Sequence, residues 1–280
     1  MTKNQILTLR LPAPDGVTAG NQSIISLPIG RRFHGVRLVG GADNKNIVTL
    51  CDEIRVKAGN DVIHRYSGAQ RNTMNQFDGM AGAAAAGKSL FIPFNRQLLK
   101  TRQMEEDTSI QTGTADEQGR KITALTIEVD IAADATNPTL RGYSLTSDNV
   151  GAGPGSILHV KNETVQVTSV GEREIILDQI GTGRKLLLNR AHLFSGDIDR
   201  LQVKRDSADL SDRTKQLNTD IQLDGGVRTP QANHWAYDPS EQGYGLEAVD
   251  LVGVQDFRLV AQLTATTDIP MIAEYIGTLS

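Results

Sequence analysis

Along most of the chain the apolar residues alternate with polar ones or gather in runs of three to five, and only a few stretches carry the three-to-four spacing of a helix. The cleanest alternation is ITALTIEVDI, Ile122 to Ile131. There Leu125, Ile127, Val129 and Ile131 share one side of an extended strand, and Ile122, Ala124, Thr126, Glu128 and Asp130 share the other. The first set is the predicted buried face. Brief strands are also expected at Ser23 to Leu27, Gly35 to Val39 and Ile54 to Lys57, closed by Pro28-Ile29-Gly30, Gly40-Gly41 and similar turn-forming groups. Leu90 to Phe94 contains Pro93, which lacks a ladder donor and suits an edge or a strand end. In the second half the same style predicts strands at Ile157 to His159, Thr164 to Thr168, Glu174 to Leu177, Lys185 to Leu188, Leu201 to Lys204, Phe257 to Leu263 and Met271 to Ile276. Helical spacing predicts one helix over Asp61 to Met74 and another over Ala208 to Ile221, each following a strand. Asn60 and Ser207 are the expected N-caps. A shorter third helix is expected over Arg96 to Glu106, with Asn95 as its cap.

The two helix-bearing stretches are alike beyond their spacing. Val56-Lys57 matches Val203-Lys204, Ile63, Gln70 and Met74 fall opposite Leu210, Leu217 and Ile221, and after one deletion Phe77-Asp78-Gly79 meets Leu223-Asp224-Gly225. Upstream, SIISLPIGRR (Ser23 to Arg32) resembles EIILDQIGTGR (Glu174 to Arg184), so both echoes occur in the same order. A repeat of this period points to one unit duplicated in tandem. Between the copies, Ala132 to Ser156 is rich in small and turn-forming residues and is the expected linker. The expected domains are therefore 1–140 and 141–280. The expected fold is mainly β: two tandem eight-stranded jelly-roll sandwiches, each with one helix after an early strand. A parallel α/β fold would need helices between most strands, and they are missing.

At 280 residues the chain is long enough for two such units, each with its own core. Only 4% of residues are aromatic, so those cores must rest on Ile, Leu and Val. The formal net charge of -4 argues against direct binding of nucleic acid, which requires clustered Lys and Arg. Cys51 is the only cysteine; it excludes an internal disulfide and a thiolate metal cluster, and is consistent with folding in a reducing cytoplasm. The N-terminus, MTKNQILTLRLPAP, has no long apolar region and does not read as a signal peptide. No apolar run approaches the ~18 residues that span a bilayer.

Several segments invite an enzymatic reading. Gly82 to Ser89, GAAAAGKS, matches the phosphate-binding pattern G-x-x-x-x-G-K-S literally, with Gly82, Gly87, Lys88 and Ser89 in the defining places. That chemistry needs a buried strand before the first glycine and a helix starting at Lys-Ser, so that backbone N–H groups converge on the phosphates. Here NQFDGMA precedes and LFIPFN follows, so the match reads as a decoy and the segment as a small-residue connector. The five histidines, His34, His64, His159, His192 and His234, are scattered singly, without the local pair that a cupin metal site uses. His64 reads as a solvated or interfacial residue of the first helix. Neither Glu105-Glu106-Asp107 nor Asp206, Asp209 and Asp212 has calcium-loop spacing, and the second group is expected at a helix start, where carboxylates meet the helix dipole favourably. No G-x-S-x-G elbow is present for a serine nucleophile. Trp235 and Tyr237, with Asp238 and Glu241, are the remaining candidates for a carbohydrate- or receptor-binding cleft, on an expected external loop. No catalytic or cofactor-binding residue is thus assigned, and metal ligands stay unassigned.

SIISLPIG (Ser23 to Gly30), the units Asp52 to Phe77 and Asp199 to Leu223, and the closing MIAEYIGTL (Met271 to Leu279) together resemble the major capsid proteins of corticovirus-like bacteriophages. These are tailless icosahedral phages with an internal membrane. The resemblance touches both halves; 80–119 and 226–249 lie outside it. It implies a double jelly-roll virion protein that is no enzyme, a homotrimer serving as a pseudo-hexameric capsomer in the outer shell. It further implies neighbouring capsomers, penton proteins and minor membrane-associated proteins as partners, and a lipid membrane beneath the shell that the chain does not span. Synthesis and assembly would take place in the bacterial host cytoplasm. The resemblance allows a structural Ca²⁺ without supplying its ligands, and no cofactor is required. The alternatives are a carbohydrate- or receptor-binding double β-sandwich and, on the strength of GAAAAGKS, a nucleotide-binding protein.

The two readings of GAAAAGKS separate in one variant. As a connector residue, Lys88→Ala should leave thermal stability within ~0.5 kcal/mol and assembly unchanged. Magnesium-dependent ATP binding that this substitution abolishes, measured by calorimetry, would restore the nucleotide-binding reading.

Overall fold

Strict alternation at Gln22 to Leu27 puts Ser23, Ile25 and Leu27 inside and Gln22, Ile24 and Ser26 outside. The computed structural model, which describes residues 5–85, 87–177 and 179–279, repeats this half-buried pattern in strand after strand. Residues 1–4 of the N-terminal reading and Ala86 of the glycine-alanine segment lie outside the described residues. The first half contains β1 (Leu7–Arg10), β2 (Gln22–Leu27), β3 (Arg32–Ala42), β4 (Lys45–Asn46), α1 (Ile47–Leu50), β5 (Cys51–Ala58), β6 (Asp61–Tyr66) and α2 (Gly68–Phe77). It continues through β7 (Ser89–Pro93), α3 (Arg102–Glu106), β8 (Ile110–Gln111), β9 (Leu125–Ile131) and β10 (Thr139–Ser147). The second half contains β11 (Ser156–Val165), β12 (Gly171–Ile176), β13 (Leu187–Leu193), β14 (Ile198–Arg205), β15 (Ala208–Thr214) and α4 (Lys215–Asp224). It closes with β16 (Trp235–Tyr237), a 3-10 turn at Gly245–Glu247, β17 (Val249–Asp250), β18 (Phe257–Leu263) and β19 (Ile269–Thr278).

Each half is a sandwich of two four-stranded sheets with the same order of strands. In the first, β1-β10-β3-β7 faces β2-β9-β5-β6; in the second, β11-β19-β13-β16 faces β12-β18-β14-β15. Taken in chain order, the eight principal strands of one half occupy the places of the eight in the other. Even an irregularity is shared. The β3–β10 pairing skips His34 and the β13–β19 pairing skips Asn189, and around these bulges the core residues Phe33, Val36 and Leu38 have the same spacing as Leu188, Ala191 and Leu193. A bulge re-aims a strand and is a built feature of a sheet rather than a defect. Two jelly rolls in tandem are therefore the architecture, as the duplicated pattern implies.

The helices depart from expectation. Asp61 to Tyr66 and Ala208 to Thr214 are strands that return against β5 and β14 as hairpins, so each helix begins one strand later than its spacing predicts. Asn60 and Ser207 sit in the hairpin turns, and the true caps are Ser67 and Thr214, whose hydroxyls accept from the backbone N–H of Gln70 and Leu217. Cross-strand pairing outweighed local helical spacing, because each strand continues a sheet whose other members lie far away in sequence. Ile63 and Met74 are both buried, but on β6 and α2 respectively; Leu210 and Ile221 are only half-buried, on β15 and α4. The third helix shortens to Arg102–Glu106 and is capped by Thr101 instead of Asn95. The expected linker contains β10, which pairs along β3, so the boundary at 140/141 falls within a strand and the chain crosses between units over 148–155.

Ile24 and Ile25 adjoin on β2 with opposite fates, 37% and 0% exposed. Ile25→Ala should cost about 3 kcal/mol, the range for a fully buried aliphatic, and Ile24→Ala well under half of that. Chemical denaturation measures both; equal losses would contradict the assigned register.

Candidate assembly interface

The two jelly rolls are joined edge to edge and face to face. At the edge, β6 runs parallel to β11 through the pair His64 and Val160, making one nine-stranded sheet from both halves. His64 is thus not on a helix and not solvated: it is 1% exposed, and its Nε2 lies 3.0 Å from the Leu158 carbonyl across the joint. At the face, the outer surface of the β11-β19-β13 sheet is covered by the first half. Leu158, Val160, Ile272 and Ile276 point away from their own core and join the first half's core cluster.

Polar residues on the same surface form a buried ionic network. Asp78, at the C-cap of α2, accepts from Arg190 Nη1 of β13 at 2.8 Å and from Arg228 Nη1 at 3.2 Å. Arg228 Nε donates to Asp238 at 2.6 Å, and both guanidinium groups also donate to the Gln97 carbonyl, at 3.3 Å from Arg190 and 3.1 Å from Arg228. Further along, Arg96 donates to Asn189 at 2.8 Å, Asn189 donates to Glu274 at 2.8 Å, and Arg71 of α2 lies 4.0 Å from Glu274. Arg71, Arg96, Arg190 and Arg228 thus meet Asp78, Asp238 and Glu274, four cations against three anions in a buried joint. Burial by itself raises the pKa of Asp238, but Arg190 and Arg228 outweigh it and hold the carboxyl below its ordinary value. Burial also dominates at Arg96, and with repulsion from Arg190 brings it down to about 10. Removing one member of such a network leaves a partner charge buried without compensation, which typically costs about 3–5 kcal/mol.

The remaining sequence candidates take structural places. Ser89 starts β7, so Lys88-Ser89 leads into a strand paired with β3 and not into a helix. His192 and His234 converge despite their separation in sequence: their rings stack at 5.2 Å, their facing nitrogens are 3.0 Å apart, and Phe77 packs edge-on against both. Among the described residues no group of three or more His, Cys, Asp or Glu is arranged to hold a metal ion. Glu106 pairs with Arg32 and Arg102, and Glu105 accepts from the backbone N–H of Leu99 at 3.0 Å. Asp206, Asp209 and Asp212 do not start a helix: Asp206 lies in the β14–β15 turn, and Asp209 and Asp212 lie on β15, where Asp212 pairs with Arg200. Trp235 and Tyr237 are on β16, not an external loop; Trp235 is 4% exposed and Asp238 is 3% exposed, which removes the cleft that the carbohydrate-binding alternative needs. Cys51 is buried and free, its thiol pushed up to about 12 by burial and then by Asp52. The joint itself was missed in sequence; isolated arginines at 71, 96, 190 and 228 give no local sign that they meet.

Two sandwiches of identical strand order, locked side by side by a shared sheet and a buried network, make the chain a double jelly roll. The fold of the major capsid protein P2 from bacteriophage PM2 is similar, with a TM-score of 0.84 at 20% identity over 99% of this chain and 98% of that one. The Sulfolobus Turreted Icosahedral Virus structure (TM-score 0.69, 13% identity, 99% and 91% covered) and the PBCV-1 virus capsid (0.67, 10%, 99% and 94%) share it too. No curated protein sequence matches the chain. Family profiles decide the matter: residues 8–147 match the viral coat protein P2 N-terminal domain and residues 157–279 the viral coat protein P2 C-terminal domain. The chain belongs to the viral coat protein P2 family and is a structural coat protein of a virion, not an enzyme.

All five histidines are buried and held neutral, chiefly by desolvation: His34, His159 and His234 at about 4, His64 at about 3, and His192 well below 6.5. The unfolded chain takes up protons near pH 6.5 that the folded chain refuses, so stability present above pH 6.5 is lost as pH falls toward 4. The melting temperature should therefore be lower at pH 5 than at pH 7 by scanning fluorimetry. An equal or higher value at pH 5 would mean that the histidines are protonated in the fold.

Proposed function

We propose that this coat protein is the major capsid protein of a tailless, membrane-containing icosahedral bacteriophage, and that it works as a homotrimer of pseudo-hexameric outline. The supporting observation is the unequal use of sheet edges. Within the chain, the β6 edge of the first sandwich meets the β11 edge of the second. The equivalent strands, β15 of the second sandwich and β1 of the first, are end strands of their sheets. Three chains arranged head to tail would repeat the internal joint between chains and close a ring of six similar sandwiches, a heterologous contact whose rotation closes. The ring then tiles with neighbouring capsomers, with penton proteins at the vertices and minor membrane-associated proteins below, over a lipid membrane that it does not span. Assembly follows synthesis in the host cytoplasm. A bound cofactor is not part of this reading; Gly82, Gly87 and Lys88 serve in the connector from α2 to Ser89, the first residue of β7, and no residues are put forward as calcium ligands.

The mass of the native particle tests it. Three chains of 30.3 kDa should give a species of about 91 kDa by native mass spectrometry or light scattering. A monomer at high protein concentration, with no larger assemblies, would overturn the trimeric reading.

A further inference from the structure

The two helices that follow the hairpins are matched in length and capping but not in burial. Each has ten residues after a hydroxyl N-cap, so that, counted from Ser67 and Thr214, Gln70 corresponds to Leu217 and Phe77 to Asp224. Helix α2 is buried on two sides. One side lies on its own sandwich, where Met74 is 0% exposed. The other lies on the outer face of the second sandwich, where Gln70 and Asn162 of β11 exchange side-chain hydrogen bonds at 3.0 and 3.3 Å and Phe77 packs on His192 of β13. Helix α4 has only the first of these. Asn218 and Gln222 are buried against its own sandwich, and Gln222 donates to the Ala236 carbonyl at 3.0 Å. Its opposite side shows Leu217 and Leu223, 46% and 54% exposed, beside exposed Asp220 and Asp224. Leu217 and Asp224, seven residues apart, share one helix face, and their counterparts on the other helix, Gln70 and Phe77, are covered there, so the open face of α4 marks a missing partner.

The duplication also locates the surface that α4 lacks. The shared bulge aligns His192 with Arg37. In the second sandwich the paired row is Asn162, Ile272 and His192; in the first it is Arg10, Tyr143 and Arg37. Arg10 therefore stands where Asn162 stands, and Arg37, lying over the Phe91 ring, stands where His192 stands. Arg10, Arg37 and the nearby Arg141 are exposed. This face is basic with aromatic backing, and the open face of α4 is acidic with apolar residues, so the two are complementary in charge. The long arginine stems can cover leucine while their heads meet carboxylates.

We infer that α4 of one copy docks across the outer face of β1, β10 and β3 of a second copy, with Leu217 over Arg10 and Asp224 paired with Arg37. The inference rests on the trimeric reading and assigns its inter-chain contact. At the internal joint Gln70 and Asn162 meet only through the ends of their side chains, so a chain carrying both Arg10→Cys and Leu217→Cys should form covalent dimers and trimers with a short bismaleimide cross-linker, seen on denaturing gels. Either substitution alone should not, since Cys51 is buried. Independently, Arg37→Asp and Asp224→Arg should each weaken trimer formation at least tenfold, and the two together should restore it, with circular dichroism confirming that every variant is folded. A wild-type trimer whose double-cysteine form does not cross-link and whose single charge reversals leave the trimer intact would overturn this docking while leaving the trimer standing. A wild-type chain that stays monomeric would overturn both.

Discussion

The outer face of the β11-β19-β13 sheet has to be covered, and the way it is covered organises the molecule. Arg190 and Glu274 point out of the second sandwich at positions where a solvated sheet would expose them, yet they are 2% and 4% exposed. Burying charges at that depth is tolerable only when every head finds opposite charge and hydrogen bonds. From the first sandwich, Asp78 and the Gln97 carbonyl meet Arg190 and Arg71 meets Glu274, while from the second Asp238 meets Arg190 and Asn189 donates to Glu274. A dry apolar joint of equal area could hold the units together as firmly. The ionic network adds a demand on direction and register, because a small slip would leave buried arginines unpaired.

The same joint accounts for how the copies have diverged. Helix α2 is squeezed between two sandwiches, and its residues Arg71, Asn72, Met74, Asn75 and Phe77 are all buried, which a ten-residue helix achieves only when packed from both sides. Helix α4 keeps the cap and the length but buries only Asn218 and Gln222, and its leucines face outward. A coat subunit needs one joint made during folding and another available for association. In the proposed docking, duplication would provide both from one design, with the difference in burial between the helices distinguishing them.

Local sequence patterns were weak guides to chemistry in this chain because the surroundings of each decide its role. GAAAAGKS has the residues of a phosphate loop, but Ser89 opens a strand, so there is no helix N-terminus at which successive N–H groups could converge. His192 and His234 meet as a metal pair would, but their facing nitrogens are engaged with each other at 3.0 Å and Phe77 seals the edge. Both constellations belong to a protein whose work is done by surfaces.

By itself the sequence determined the fold class. Alternation in Ile122 to Ile131 and in Ser23 to Leu27 specified which side of each strand is buried, since side chains on a strand have no other faces to occupy, and the repeated V-K strand, helix and D-G turn revealed the duplication. The family resemblance carried by those segments led to a coat protein. Tertiary structure decided what depends on partners distant in the chain. Asp61 to Tyr66 and Ala208 to Thr214 became strands because β5 and β14 were there to pair with them, although their own spacing suits a helix equally well. Residues 139–147 became a strand, despite a turn-rich neighbourhood, because β3 offered an unpaired edge. The buried network joins residues as far apart as Asp78 and Arg228, and no local window contains both ends of that bond. Faces and repeats are periodic and therefore legible along the chain; pairing and charge compensation exist only after the chain has closed on itself.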